Sequence, residues 1–122
     1  MIGTALPKPP RGAGTRQKAA GKRTQAKADK VVYGAVDARD GLRCRVCGEY
    51  GGLDIQRHHI RMRSAGGPTT TGNVVSLCAG CHLVGVHGGR LRISGDADER
   101  GRYGRLCGLR VEQVTTGDVW QA

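Results

Sequence analysis

The spacing of apolar residues predicts one helix followed by several short strands. In "VVYGAV", residues 31–36, the apolar side chains recur at helical spacing, and Gly41 follows as a C-terminal cap, which predicts a helix over about 28–39. The later segments "LDIQRHHI", "VVSL" and "RLRISG" alternate or are rich in β-branched residues, which predicts strands. A short helix at "CAGCHLVGVH" and a terminal hairpin at "LCGLRVEQVTTGDVW" complete the pattern. We therefore expect a small α+β fold.

The first 27 residues have a different character. They combine basic, glycine, proline and small residues without an apolar stripe, which predicts a disordered arm. Residues 1–30 hold eight of the 20 basic residues and one acid, a net charge of +7, and they contain every lysine. Such an arm either tracks phosphates or is a solubilising tail. The predicted division is an arm over 1–27 and a folded domain over 28–122, with its core at about 42–95 and a C-terminal β extension at about 96–122.

The whole chain is strongly basic, with a net charge of +10 and a pI of about 10.1. Such a chain is attracted to polyanions, of which nucleic acid is the commonest. It has no phenylalanine and 21 glycines, so its core is thin, and small domains of this kind often need a metal or disulfides. The sequence shows neither a secretory signal nor a membrane span. We therefore expect no membrane partner and a reducing cytosol, where paired cysteines bind metal more often than they form disulfides.

Four of the five cysteines form two Cys-x2-Cys units, Cys44 with Cys47 and Cys78 with Cys81. Each unit can present two thiolates to one tetrahedral ion, so the four together predict one structural zinc. The gap between the units is longer than in a simple zinc ribbon, so a further segment is inserted there. Two disulfides or four unrelated thiols are the alternatives. We interpret Cys107 as a small apolar residue rather than a ligand.

All four histidines lie in or just after that inserted segment. His58 and His59 are adjacent on a predicted strand, so their side chains should point in opposite directions. One of them can hold a metal while the other acts as a base. His82 directly follows the second Cys-x2-Cys. Asn73 lies between the histidine pair and that unit, next to the loop "GGPTTTG". This arrangement is more informative than a lone histidine would be.

At these residues the chain resembles the HNH endonuclease family, the ββα-metal nucleases. The segments "CRVCG", "RHHI" and "SAGGPTTTGNVVSLCAGCH" match the family's order of Cys-x2-Cys, histidine pair, Gly-Gly loop, Asn and Leu-Cys-x2-Cys-His. The resemblance covers about residues 31–95 and, more weakly, the chain as far as Trp120, which is similar to the tail of small phage and bacterial members. It implies a ββα-metal core held together by a four-cysteine zinc, with a helix before it and a β-hairpin after it.

The resemblance also implies a role for each matching residue. His59 takes the position of the general base, and Asn73 that of the residue that orients the base by tying the loop down. His58 and His82 take the positions of ligands to a catalytic divalent ion.

The last histidine departs from the family pattern. The family's further helix ligand usually lies four residues after the one matched by His82, where this chain has Val86. His87 is five residues on, which in an α-helix is about 140° round from its neighbour. It is either a third ligand, brought in by a break at Gly85, or a surface histidine near DNA.

These residues suit phosphodiester hydrolysis. A neutral histidine can activate water, and a divalent ion with open positions can act as Lewis acid and template, whereas a closed four-thiolate zinc cannot. We therefore expect two metal sites, a structural Zn²⁺ and a catalytic ion such as Mg²⁺, Mn²⁺, Ni²⁺ or Zn²⁺. Arg57, Arg61 and Arg63 flank the histidine pair and are candidates for gripping phosphates, with a solvated strand edge as the alternative.

The sequence therefore predicts a metal-dependent endonuclease that hydrolyses DNA, with double-stranded DNA as the expected partner. A non-catalytic zinc-stabilised DNA-binding module is one alternative. An accessory factor of a phage DNA-packaging assembly is another, and it rests on family analogy alone. The expected location is the cytoplasm of a bacterial cell or a phage-infected host.

Overall fold

The computed structural model describes the backbone of residues 13–122 and the side chains of residues 22–122. A long helix, α1 (Ala13–Asp40), precedes a two-stranded antiparallel sheet of β1 (Gln56–His59) and β2 (Val74–Leu77). A π-helix (Gly80–Val86) follows β2 directly. The chain then forms a three-stranded antiparallel sheet, in the order β3 (Leu91–Gly95), β4 (Leu109–Gln113) and β5 (Val119–Gln121). The fold is small α+β, as the sequence predicted.

Helix α1 begins at Ala13, whereas the sequence predicted a helix only from about residue 28. The part of the predicted arm over residues 13–27 is therefore helical rather than disordered, and residues 1–12 lie outside the described part. No apolar pattern is present before Val31. Alanine, lysine, arginine and glutamine are nevertheless good helix formers, and they extend the helix toward its N-terminus. Of the predicted apolar stripe, Val36 is fully buried, whereas 75% of Val31 is exposed. The division of the chain at residue 27 stays a prediction.

The β1–β2 hairpin carries the histidine pair. In its register His58 lies opposite Val75 and His59 opposite Val74. All four residues of β2 are buried, since this strand has α1 against it as well as the π-helix after it. The predicted strands at "LDIQRHHI" and "VVSL" are thus confirmed, and the paired strands place the histidines at one end of a rigid element.

The C-terminal part is a three-stranded sheet rather than a hairpin alone. The predicted terminal hairpin is present as β4 and β5, and the predicted strand at "RLRISG" joins it as β3. Leu109 and Val111 of β4 are fully buried, and Leu109 belongs to the same apolar cluster as Val75 and Leu77 of β2. One apolar core therefore connects the two sheets.

A buried ion-pair network fastens α1 to both sheets. The Asp40 carboxylate pairs with Arg39 and Arg45 and accepts a hydrogen bond from the backbone N–H of Ser76 at 3.1 Å. Arg45 also donates to the carbonyls of Ala97 at 3.0 Å and Ala122 at 3.2 Å. Burial by itself raises the pKa of Asp40, but the hydrogen bond and charge of Arg39 and the charge of Arg45 outweigh it and lower that pKa. Asp40 is therefore ionised at neutral pH, and the C-terminal end of α1 is fixed in place.

Within residues 13–122 no helix has the length and apolar character needed to cross a membrane.

Candidate metal centre and catalytic cleft

The structure brings the four predicted zinc ligands together. The sulfurs of Cys44, Cys47, Cys78 and Cys81 all lie within 4.8 Å of one another. The Cys47 and Cys78 sulfurs are 3.8 Å apart. Two sulfurs bound to one tetrahedral zinc at about 2.3 Å lie about 3.8 Å from each other, so this spacing fits a shared ion. The cysteines are free thiols, and the cluster is consistent with a zinc site.

The electrostatics of the thiols also favour a bound cation. Burial raises the pKa of the Cys81 thiol, and the neighbouring Cys78 and Cys44 raise it further. Four thiols this close cannot all ionise unless a positive charge lies among them, and zinc supplies such a charge. Cys107 is partly buried and belongs to neither metal-binding group formed by the described residues, and its interpretation as a small apolar residue stays a prediction.

A π-helix brings the two C-terminal histidines to one side. The backbone N–H of His87 donates to the carbonyl of His82 at 2.9 Å, a hydrogen bond between residues five apart. In this wider helix the hydrogen bonds join residues five rather than four apart, which brings the residue five positions on toward the same side as the first. The His82 and His87 Nε2 atoms are therefore only 3.0 Å apart. The spacing of five, which departs from an α-helical pattern, is the spacing that this helix requires.

His58 completes a group of three imidazoles. It is 4% exposed, and its ring centroid lies 5.2 Å from that of His82 and 5.7 Å from that of His87. One ligand nitrogen from each ring lies within 4.8 Å of the others. Burial, followed by the charges of the neighbouring histidines, lowers the pKa of His58 to about 4, so this ring is neutral at pH 7. Three imidazoles are a donor set that Zn²⁺, Ni²⁺ and related ions accept, so the residues fit a divalent ion.

Gln56 orients one ring of this group. It is two residues before His58 on β1 and so faces the same side. Its Oε1 lies 2.5 Å from His82 Nδ1. An amide oxygen only accepts, so His82 Nδ1 carries the proton and Nε2 keeps its lone pair facing His87. Partners of this kind fix the tautomer and orientation of metal-binding histidines.

His59 has separate partners from its neighbour. Its Nε2 lies 3.0 Å from the Thr69 hydroxyl oxygen, and its ring meets the edge of Tyr33 with 6.4 Å between centroids. Burial lowers the pKa of His59, and the positive charge of Arg63 lowers it further, while Asp29 opposes them. Both His58 and His59 nevertheless line one cleft, although adjacent strand residues point to opposite faces.

Asn73 ties the inserted loop to the end of β1. Its Oδ1 accepts from the Arg61 backbone N–H at 2.9 Å, and its Nδ2 donates to the carbonyls of Arg61 at 3.1 Å and Pro68 at 2.8 Å. None of these side-chain hydrogen bonds is to His59. Asn73 holds the loop on which Thr69 lies, and through that loop it fixes the partner of His59. Gly67 allows this close approach, since a Cβ there would lie 1.8 Å from the Arg61 carbonyl oxygen.

The three predicted phosphate-binding arginines are not equivalent. Arg57 pairs with Asp37 and stacks over Tyr33, and Arg63 pairs with Asp29. Arg61 is exposed, and its guanidinium has no hydrogen-bond or ion-pair partner among the described side chains. Arg61 and Arg63 do not alternate along a strand as expected, because β1 ends at His59 and Arg63 begins a short 3-10 turn.

The cleft has a volume of about 280 Å³ and combines the histidines with basic side chains. Its walls consist of Arg57, His58, His59, Met62, Arg63, Ser64, His82 and His87. A cleft with basic walls can attract a phosphate, and its imidazoles offer nitrogen lone pairs to a metal and a proton.

The fold and the two clusters define a small α+β domain with a four-cysteine metal site beside a histidine cleft. Residues 44–84 match the family model described as HNH endonuclease, so the resemblance seen in the sequence is confirmed for this segment. The match indicates nuclease-type activity and implies a nucleic acid substrate. It includes both Cys-x2-Cys units, the histidine pair, Asn73 and His82, and it ends before His87 and begins after α1. No curated protein and no solved structure matches the chain.

Sequence reasoning missed Gln56, Thr69 and the acidic residues of α1 as parts of the site. Gln56 could have been found from its position two residues before His58, on the same face of a strand. Thr69 lies in a loop with three consecutive threonines, and the sequence does not distinguish them.

Proposed function

We propose that the protein is a metal-dependent endonuclease that hydrolyses phosphodiester bonds of double-stranded DNA. The observation that carries this proposal is the separation of the two adjacent histidines: His58 joins a cluster of three imidazoles, while His59 is held apart by Thr69. A DNA-binding module does not need two adjacent histidines with separate roles. A hydrolase needs separate roles, because one group must hold a cation and another must accept a proton from water.

His59 acts as the general base through Nδ1 in this proposal. Its Nε2 is engaged by the Thr69 hydroxyl, which leaves Nδ1 as the nitrogen without a partner among the described side chains. Thr69 Oγ1 already accepts a hydrogen bond from Arg63 at 3.2 Å and can accept a second from His59 Nε2–H. The proton on Nε2 keeps Nδ1 unprotonated and able to take a proton from water. Asn73 acts as a positioning residue because it fixes the loop that carries Thr69.

His58, His82 and His87 would hold the catalytic divalent ion. When bound, that ion would supply Lewis-acid stabilisation of the charge on the phosphate and the leaving oxygen. Cys44, Cys47, Cys78 and Cys81 would hold a structural zinc, whose four thiolates leave no position for water. The two clusters therefore have different functions, although Cys81 and His82 are adjacent in the chain.

Basic residues around the cleft would bind the DNA backbone. Arg61 is the arginine of the three that is free to contact a phosphate without first breaking an ion pair. The exposed cations Lys22, Arg23 and Lys27 of α1 would add sequence-independent affinity through counterion release. We place this activity in the bacterial or phage-infected cytoplasm.

A plasmid-nicking assay tests the proposal. Wild-type protein with a divalent ion should convert supercoiled plasmid to open circles, and EDTA should stop the reaction. His59→Ala should lower the rate by about 10²–10⁴-fold, the usual contribution of a general base, while DNA binding and zinc content persist. Undiminished nicking by that variant would rule out His59 as the base. A wild-type protein that binds DNA but never nicks it would favour the non-catalytic DNA-binding module or an accessory role in DNA packaging.

A further inference from the structure

One face of α1 contacts three of the residues that line the catalytic cleft, although this helix precedes the family-matched segment. Asp29, Tyr33 and Asp37 are spaced four residues apart and so lie on the same side of the helix. Asp29 pairs with Arg63, and the Tyr33 ring meets the His59 ring edge-on. We refer to Asp29, Tyr33 and Asp37 as the α1 stripe.

Asp29 is joined to His59 by a continuous chain of hydrogen bonds. Asp29 is 8% exposed, and its carboxylate accepts from Gln25 Nε2 at 2.8 Å on one oxygen and from Arg63 Nη2 on the other. The same Arg63 Nη2 donates to the Thr69 hydroxyl oxygen at 3.2 Å. That oxygen lies 3.0 Å from His59 Nε2. Every link is within hydrogen-bonding distance.

We propose that Asp29 is a positioning residue for the general base, acting through Arg63 and Thr69. This inference rests on the proposed role of His59. It makes α1 an integral part of the active site rather than an extension that binds only DNA.

The chain of contacts works by assigning the lone pairs of one hydroxyl. Arg63 has no acceptor atom, so its N–H fills one lone pair of Thr69 Oγ1. We assign the other lone pair to His59 Nε2–H, an assignment that would hold the ring in the tautomer with Nδ1 unprotonated. The Arg63 side chain is long and 52% exposed, so it needs an anchor to stay in this position. The buried carboxylate of Asp29 is that anchor.

The α1 stripe also contains a matched control. Asp37 pairs with Arg57 much as Asp29 pairs with Arg63, and the two acids are on the same face of the same helix. The Asp37–Arg57 pair has no link to Thr69. Asp37→Asn therefore removes an equivalent ion pair and leaves the contacts of Asp29 intact.

The experiment measures steady-state cleavage over a range of DNA concentrations for Asp29→Asn, Thr69→Val, Thr69→Ser and Asp37→Asn, each with its structural zinc and helix content unchanged. We expect Asp29→Asn and Thr69→Val to lower kcat by at least about tenfold with KM little changed, since a misplacement of about 1 Å can cost about 10²-fold. Thr69→Ser keeps the hydroxyl and should retain the wild-type rate. Asp37→Asn should also retain kcat.

A second readout needs no DNA and no cleavage. Nitrogen-15 NMR of the His59 ring should show the Nε2–H tautomer in wild type, Thr69→Ser and Asp37→Asn, and a mixture of tautomers in Thr69→Val and Asp29→Asn. Wild-type kcat and tautomer in both Asp29→Asn and Thr69→Val would overturn the inference, and so would a kcat raised by Asp29→Asn. If His59→Ala itself cleaved normally, the proposed base would fail instead, so the two failures are distinguishable.

Discussion

The four-thiol cluster and the three-imidazole cluster share one short segment but differ in what they leave open. Cys78 and Cys81 belong to the first, and His82 and His87 to the second. Four thiolates fill the coordination shell of a tetrahedral ion, whereas three imidazoles leave at least one position for water or a phosphate oxygen. Under the proposed function, residues of one short segment would serve both stability and chemistry because the two clusters differ in their number of donors.

Each cluster is anchored by one buried residue. Cys44 is 2% exposed and His58 is 4% exposed, while Cys47 and His87 are on the surface. The buried member fixes the position of its cluster within the core. Of the two clusters, only the three-imidazole cluster opens into the cleft. The cleft is lined by His58, His82 and His87 and by none of the cysteines. The predictions below aim to separate the two clusters, beginning with the largest expected effect.

Cys78→Ser should abolish the fold. Structural zinc contributes about 10–16 kcal/mol of apparent binding free energy in small zinc domains, as much as the whole stability of a typical protein. We therefore expect loss of helical circular dichroism, zinc and activity together. Cys107→Ser is the matched control, and it should fold with its zinc in place. A soluble, folded, zinc-free Cys78→Ser protein would contradict the structural role.

His82→Ala should abolish activity and leave the fold intact. The substitution removes one of three donors from the three-imidazole cluster and none from the four-thiol cluster. The metal content should therefore fall from two ions to one. An ion of this kind contributes several kcal/mol to the transition state, so nicking should fall by at least about 10²-fold. Metal analysis, circular dichroism and the nicking assay measure the three effects. Unfolding of His82→Ala would mean that both clusters are structural.

Gln56→Met should weaken metal binding by the three-imidazole cluster without abolishing it. Methionine has a similar length but cannot accept the His82 Nδ1–H hydrogen bond as an amide does. The expected loss is about 10–100-fold in affinity for the divalent ion, the usual effect of removing such a partner. Titration calorimetry on protein that retains its structural zinc measures it. Gln121→Met, on exposed β5, is the control, and equal affinities in the two variants would exclude a role for Gln56.

Deleting residues 1–23 should affect neither cluster. It removes six of the eight cations in residues 1–30 but keeps Gln25, the partner of Asp29. If about half of them engage phosphates, the slope of log K against log salt flattens by about 3 units, and turnover at saturating DNA is retained. Replacing the same six cations with glutamine separates charge from helix length. An unchanged salt slope would mean that residues of the folded part alone hold the DNA.

The sequence was most informative where structure and chemistry depend on short-range patterns. The strands at "QRHH" and "VVSL" follow from alternation and β-branching, and the cysteine units follow from the spacing that zinc needs. The predicted start of α1 was wrong because the N-terminal part of this helix has no apolar stripe. Only the helix propensity of its residues could have indicated a helix there. The convergence of His82 and His87 required a π-helix, which has no simple sequence signal. The Asp29–Arg63 pair joins residues 34 apart, and only the tertiary fold reveals such partners.

Stepwise chelation tests the central claim, that the two clusters bind metal for different purposes. A weak chelator is titrated into the loaded protein while metal content, circular dichroism and plasmid nicking are measured on the same samples. We predict two ions per chain. Nicking should be lost with the first ion while the helical signal persists, and it should return when a divalent ion is added back; the fold should be lost only with the second. A single bound ion, or simultaneous loss of nicking and fold, would contradict the account.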